Sequence, residues 1–357
     1  MRGKIGGNFC SPLCQTGKFQ YTKCLNYKGG KNIVFGHWNS KPVIVKSKYR
    51  ADDCDFEAEL GEVSWRNFLS SLRSKIKDEF DIIDWRSDKE LVELLWLGEE
   101  DIEYFLSERK LTPREVVTQE ALIRSLWSLV TQDEYFFFKY FSDNNFLPYV
   151  FGTCGSYYAV EYAPSTGVLD PDVFHLTRIM QHTWSERVKV AHDLLNVVRS
   201  LEEDFEAPVH LCDVKGSNFG ISQDGIVKAI DTDTVFFRAK ISKIIGDTEH
   251  CSADEDCHFF DCLGKCDVTR QKCEKAVVNN NLEVLSLSEI KSSLPNCKHC
   301  MCARYVLQNL FWFAGNLSPH LSRQLIERVP RFVVECGSRY ERRDGGGADR
   351  VRVARQC

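Results

Sequence analysis

The chain has 357 residues, of which 43% are apolar and 27% charged, with a formal net charge of −5. That length can bury the core of one large two-lobed domain or of two modest ones, and the apolar content is that of a globular protein. Lys and Arg are scattered rather than gathered into a basic stripe, which argues against a nucleic-acid partner.

Three strands are expected first. "KFQYTKCLNY" runs into a turn at Lys28-Gly29-Gly30-Lys31, "NIVFGHW" follows, and "NSKP" leads into "VIVKSK". β-branched and alternating residues bounded by Gly-Gly and Asn-Ser are hairpin signals. Residues 52–112 are acidic and helical in pattern, as in "EVSWRNFLSSLRSKIKDEF" and "KELVELLWLGEEDIEYFL", and read as an inserted helical subdomain. Thr112, Pro113 and Glu115 then form a capping box with proline at the first helical position. It opens a long apolar helix to about Phe141, with a break near Thr131. "FLPYVFGTCG" and "SYYAVEYAP" read as two buried strands. Thr183 and Glu186 cap an amphipathic helix whose Val188, Ala191, Leu195, Val198 and Leu201 recur at helical spacing. Short strands follow in "HLCD", "FGIS" and "VKAID", with "SQDG" as a tight turn. The remainder is Cys-rich and then helical in "RYVLQNLFWFA", and residues 331–357 end in an Arg/Gly-rich, aperiodic stretch that reads as a disordered tail.

Sixteen cysteines are many for a reduced compartment. Eight lie between Cys251 and Cys302, and Cys10, Cys14 and Cys24 lie near the start. "CSADEDCHFFDCLGKCDVTRQKC" spaces its cysteines by five, four, three and six residues, without the C-x-x-C pairs of structural zinc knuckles. Disulfides made in the secretory pathway are the favoured reading, and a zinc-dependent adaptor is the alternative. "MRGKIGGNFCSP" has a basic start but no apolar core of a secretory signal, and no run of eighteen apolar residues spans a membrane. Oxidised cysteines would then require a targeting segment outside this chain or another export route.

The chemistry concentrates in "CDVKGSNFGISQDGIVKAIDTD". Asp213 precedes Asn218 by five residues, and Asn218 precedes Asp231 by thirteen. Phosphoryl transfer needs a cation on the phosphates, oxygen ligands for magnesium and a carboxylate that accepts a hydroxyl proton. Taken alone, Asp213 and Asp231 could equally be turn carboxylates, Lys46 a strand-end lysine and Glu134 a solvated helical face. Their order and spacing within the strand–helix pattern favour a site.

Here the chain resembles a protein kinase. "CDVKGSN" stands where that fold has H-R-D-L-x-x-x-N, and "IDTD" where it has D-F-G. "VIVK" resembles the V-A-I-K strand and "AVEYAPSTG" the hinge. The resemblance implies that Lys46 binds the α- and β-phosphates, pairs with Glu134, and is covered by a lid reduced to Gly29 and Gly30. Backbone groups around Glu161 and Tyr162 would hold adenine. Asp213 would be the base, Lys215 would neutralise the γ-phosphate, and Asn218 and Asp231, with Asp233 as a further ligand, would hold metal. The lid, the Phe and Gly of D-F-G, and any A-P-E segment depart from the kinase pattern, so a catalytically weak or inactive pseudokinase acting as a lumenal scaffold is the alternative.

The segments "CSPLCQTGKFQYTKCL", "KPVIVK" and "HCSADEDCHFFDCLGKCDVTRQKCEKAVVNNNLEVL" resemble the divergent protein kinase domain 1 family, with the divergent protein kinase domain 2 group as near neighbour. That likeness implies an α+β, bilobal protein-kinase-like fold. Its N-lobe would cover residues 8–162 with the helical insertion at about 52–112, and its C-lobe residues 163–330 with a disulfide-rich segment at 251–302. It implies ATP with Mg2+ (or Mn2+) as cofactor, a lumenal protein among the candidate acceptors, and the lumen of the endoplasmic reticulum or Golgi. The family's membrane anchor is not visible here. Its calcium loop would fall at "EYFLSERKLTPREVV", which lacks the oxygens calcium requires, so no calcium site is expected, and Glu99, Glu100 and Asp101 read as a solvated face. His210 is expected to be a packed residue, Asn279, Asn280 and Asn281 to make turns, and Asn316 to be a glycosylation acceptor weakened by Pro319.

Overall fold

The computed structural model describes residues 5–27, 30–48, 64–80, 82, 86–96, 111–165, 184–205, 207–248 and 250–285. Gly29, the acidic run at 99–101, the Thr183 cap, the cysteines beyond residue 285, the 304–314 helix, Asn316 and the 331–357 tail lie outside them. The chain divides into two compact units. The first holds Met1–Ala163 with Ser222–Asp224 and Lys228–Asp233; the second holds Pro164–Ile221, Gly225–Val227 and Thr234–Cys357.

The first unit opens with a short helix, α1 (Cys10–Cys14), and then builds an antiparallel sheet from β1 (Phe19–Asn26), β2 (Lys31–Trp38) and β3 (Lys41–Lys48). β4 (Val150–Cys154) and β5 (Tyr157–Glu161) complete it in the order β1-β2-β3-β5-β4. Asn39 and Ser40, both at positive φ, make the two-residue turn between β2 and β3, the geometry that matches the twist of a tight hairpin. Strand alternation sorts the faces of β3. Val43 and Val45 join Phe9, Cys154 and Ala159 in one buried cluster, which the Cys10–Cys154 disulfide fastens to α1. Ile44 and Lys46 face the other way.

Four helices of this unit follow from their caps and apolar stripes: α2 (Trp65–Phe80), α3 (Asp88–Leu95), α4 (Pro113–Val130) and α5 (Asp133–Tyr140). The expected Thr112–Glu115 capping box is present, and Ser87 with Glu90 makes another on α3. The break expected near Thr131 falls between α4 and α5, where Gln132 is buried. Its side-chain amide donates to the carbonyls of Ser128 and Ser156 and its Oε1 accepts the Lys48 N–H at 2.7 Å. One side chain thus ties the end of α4 to the sheet and fixes where α5 begins. α5 is buried from Glu134 to Tyr140, with Phe136 stacked on Phe80.

In the second unit, α6 (Trp184–Glu203) buries Leu195, Val198 and Leu201 of the expected stripe together with Leu194 and Val197, while the side chains of Val188 and Ala191 lie outside the described ones. β6 (Val209–Leu211) pairs antiparallel with β9 (Val235–Phe237). β7 (Phe219–Ile221) lies between them in sequence, as does β8 (Val227–Ala229), whose Lys228 and Ala229 belong to the first unit, and α7 (Arg238–Gly246) follows β9. The Cys-rich segment then adds β10 (Cys266–Asp267), β11 (Lys272–Cys273) and α8 (Asn281–Leu285). Three disulfides, Cys212–Cys262, Cys251–Cys266 and Cys257–Cys273, run through its core with Phe236, Ile241 and Ile245. Cys251, Cys257 and Cys266 approach one another closely enough for a metal. All three are cystine sulfurs rather than thiolate ligands, which removes the zinc alternative for them.

The three asparagines do more than form turns. Asn281 Oδ1 accepts the Leu211 N–H and its amide donates to Val209 O, so it holds β6 from one side. Asn279 bridges Leu263 N–H and Asp261 O, and Asn280 caps α8 in a reciprocal pair with Glu283. Sequence alone marks such residues as turn formers because their amides serve local and distant backbone equally well.

Candidate active site

Register places the first set of groups. Lys46 on β3 lies opposite Ile33 on β2 and Tyr158 on β5, so these side chains share a face. Lys31, two residues before Ile33, shares it too. The first turn of α5 brings Glu134 against that face. Glu134 is 1% exposed, and all its lone-pair directions are used. Oε1 accepts from Lys46 Nζ at 2.7 Å and from the Tyr158 hydroxyl at 2.8 Å; Oε2 accepts from Lys31 Nζ at 2.8 Å and from the Thr232 N–H at 3.3 Å. Lys46 Nζ also donates to Ile230 O and lies over the Phe138 ring.

Burial by itself would raise the Glu134 carboxyl, but Lys46 and Lys31 outweigh it and hold the group at about 2. The same neighbours act in the opposite sense on Tyr158, whose hydroxyl is pushed well up by burial and by Glu134. Lys31 makes two further ion pairs, with Asp231 at 3.2 Å and Asp233 at 3.0 Å. Burial alone would lower its ammonium, but Glu134, Asp233 and Asp231 raise it well above the ordinary range. Asp233 is raised by burial and by Glu134, an effect that Lys31 partly offsets.

Glu134, Asp231 and Asp233 each present an oxygen within 4.8 Å of the others. An all-oxygen set of this kind suits Mg2+ or Mn2+, so the residues fit a divalent ion.

The second set lies on the segment between β6 and β7. Asn218, buried in a short 3-10 turn (Gly216–Asn218), donates its amide to Asp213 O at 2.9 Å and to Asp213 Oδ2 at 3.3 Å. Lys215 Nζ pairs with the same Oδ2. The Asn218 amide nitrogen is thereby committed, and Oδ1, which accepts from the Ser217 hydroxyl at 3.5 Å, keeps a lone pair for a cation. Around Asp213 the backbone is fastened to the Cys-rich segment. Cys212 is disulfide-bonded to Cys262, Asp261 Oδ2 accepts the Val214 N–H at 2.7 Å, and the Asp261 N–H donates to Cys212 O at 2.8 Å. His210 is packed, and burial with nearby Arg238 lowers its imidazole.

Two comparisons decide the kinship. Residues 126–337 match the family model for the protein-kinase domain of FAM69, and residues 1–71 match that for the N-terminal cysteine-rich endoplasmic-reticulum region of FAM69. The chain belongs to the FAM69, or divergent protein kinase domain, family. It thus carries the kinase-like domain of FAM69 with a cysteine-rich N-terminal region of an endoplasmic-reticulum family. The α+β architecture with a five-stranded sheet and disulfides agrees with that assignment. Among the described residues no helix is long and apolar enough to cross a membrane. The two FAM69 matches between them contain every candidate residue named above.

The first unit brings together Lys46, Glu134, Asp231 and Asp233; the second brings together Asp213, Lys215 and Asn218. Gly30 adopts the left-handed conformation, φ 77°, that a turn into β2 requires. The Glu161 N–H is spent on Tyr149 O at 2.8 Å, which removes that donor from adenine, and its carboxylate pairs with Lys228 at 3.4 Å. The Tyr162 ring lies against Phe35. Sequence reasoning missed Lys31, Tyr158 and Asp261. Tyr158 was open to discovery, since strand alternation in "SYYAVEY" points it the same way as Val160. Lys31 was not, because its role depends on the β2–β3 register. Asp261 lies far from Asp213 in sequence and nothing local marks it.

Proposed function

We propose that this chain is an ATP- and Mg2+-dependent kinase of the endoplasmic reticulum or Golgi lumen, of the Ser/Thr type, acting on a hydroxyl of a lumenal protein. The observation that carries the reading is the buried Lys46–Glu134 pair at 2.7 Å in the same unit as the Asp231 and Asp233 carboxylates. Glu134 holds the Lys46 ammonium in place, and Lys46 would take the α- and β-phosphates. Asp213, oriented by Asn218 and Lys215, would accept the proton of the attacking hydroxyl. Lys215, half-exposed, can turn from Asp213 to a γ-phosphate oxygen as charge builds there. Asp231 and Asp233 would hold magnesium, whose chemistry is to neutralise the phosphate oxygens during transfer.

A second reading, a catalytically weak or inactive lumenal scaffold, has one observation in its favour. The Asp231 and Asp233 carboxylates are already paired with an ammonium, that of Lys31.

Thermal stabilisation by Mg2+-ATP, measured beside phosphate transfer to a hydroxyl-bearing acceptor, separates the two. A kinase is stabilised by mass action as wild type and as Asp213→Ala, is not stabilised as Asp231→Ala, and transfers phosphate only as wild type. Stabilisation without transfer supports the scaffold. If neither nucleotide nor metal shifts the melting point, the catalytic reading fails.

A further inference from the structure

Lys31 is buried to 12% exposure and places its ammonium 2.8, 3.2 and 3.0 Å from Glu134, Asp231 and Asp233. An ammonium has three protons, and here each meets a different carboxylate. Three formal negative charges thus meet two positive ones, those of Lys31 and Lys46, before any ion arrives. The carboxylates that suit a divalent ion are the ones Lys31 holds. Between the two aspartates in sequence, the buried Thr232 hydroxyl has no hydrogen-bond partner among the described residues. The cluster is therefore built for a cation and already contains one, supplied by the chain.

The structure assigns Lys31 as the resident cation of this cluster: it closes Glu134, Asp231 and Asp233 to a bare divalent ion and gives way when a polyphosphate draws its ammonium off the aspartates. Lys31 enters β2 directly after Gly30. It stands where a phosphate-covering loop would end, and its four-carbon stem lets the ammonium move while the strand stays fixed. A triphosphate offers compensating anions, so the exchange keeps every charge paired: ammonium to phosphate, divalent ion to carboxylates. Metal alone offers Lys31 no new partner and must displace it against the three ion pairs. The site should therefore admit metal only together with nucleotide. This inference rests on the nucleotide-binding part of the reading above.

Mn2+ binding followed by electron paramagnetic resonance, without nucleotide and with the β,γ-imido analogue of ATP, tests it on the full chain. Lys31→Met and Lys31→Gln should each bind Mn2+ alone at least tenfold more tightly than wild type. Lys31→Arg, which keeps the charge, should stay weak. In thermal denaturation Mn2+ alone should raise the melting point of both neutral variants and leave wild type flat, a gain that loss of a merely structural lysine cannot produce. Unchanged Mn2+ affinity in both neutral variants overturns the inference, as does Lys31→Arg behaving like Lys31→Met. The two proposals fail separately. Wild type that binds Mn2+ with the ATP analogue while the neutral variants gain nothing for Mn2+ alone removes only the role of Lys31. Neutral variants that gain Mn2+ while no form binds nucleotide keep the resident cation and remove the kinase.

Discussion

Two groups of polar residues in this chain are held by different forces. In the first unit, Lys31, Lys46, Glu134, Asp231 and Asp233 are fixed by charge, with Lys46 and Glu134 buried as well and no covalent link among them. In the second, the segment carrying Asp213 is clamped by the Cys212–Cys262 disulfide and by the Asp261 carboxylate on its backbone. A charge network exchanges partners when a ligand brings new charges; a cystine clamp does not. The difference fits the proposed roles. Groups that must accept phosphate and metal sit where ion pairs can be traded, and the proposed base sits on a backbone that is organised beforehand.

The largest expected effect breaks the charge network. Glu134→Ala leaves Lys46 and Lys31 without their shared carboxylate and should cost about 3–5 kcal/mol in urea unfolding. The pH dependence has a defined sign. The folded carboxyl lies near 2 against an ordinary 4.5, so its stabilisation is complete above about pH 4.5 and is lost as pH falls toward 2. The gap between wild type and variant should close over that window. Next, Cys212→Ser with Cys262→Ser opens a 50-residue separation and should cost about 2–4 kcal/mol. Amide exchange should rise around Val214 and Asp261, while Lys46 and Glu134 keep their protection. Exchange that rises equally at Lys46 would show that the two regions do not behave separately.

A smaller effect comes from Lys139 on α5, whose ammonium burial lowers to about 8. Its folded form binds its proton less readily than the unfolded chain, so wild-type stability should rise as pH goes from about 8 to 10.5. Lys139→Met should be more stable at neutral pH by something on the order of 2 kcal/mol, an advantage that fades over the same window. The smallest is Thr112→Ala, which removes the capping box of α4 and should cost about 1 kcal/mol. It should leave both polar groups unchanged.

Much of the fold was legible because it is local. The Thr112 capping box, the break near Thr131, the strands around Lys46 and Tyr158 and the stripe of α6 all follow from periodicity and caps within a few residues. The order Lys46, Glu134, Asp213, Asn218, Asp231 was legible for the same reason, as spacing along a chain. The amide roles of Gln132 and Asn281 were not, since a buried amide chooses among distant backbone partners that sequence does not bring near.

By itself the sequence determined the inventory: the strands, the helices, the cysteine-rich character and the charged residues that phosphoryl chemistry requires. Only the tertiary structure decided the pairings. It sent Cys10 to Cys154 and Cys212 to Cys262, set Asp261 on the Asp213 segment, and put Lys31 on three carboxylates. The physical reason is range. Propensity and alternation act over a few residues, whereas these ion pairs, cystines and side-chain hydrogen bonds join groups 47 to 202 positions apart and exist only once the chain has folded.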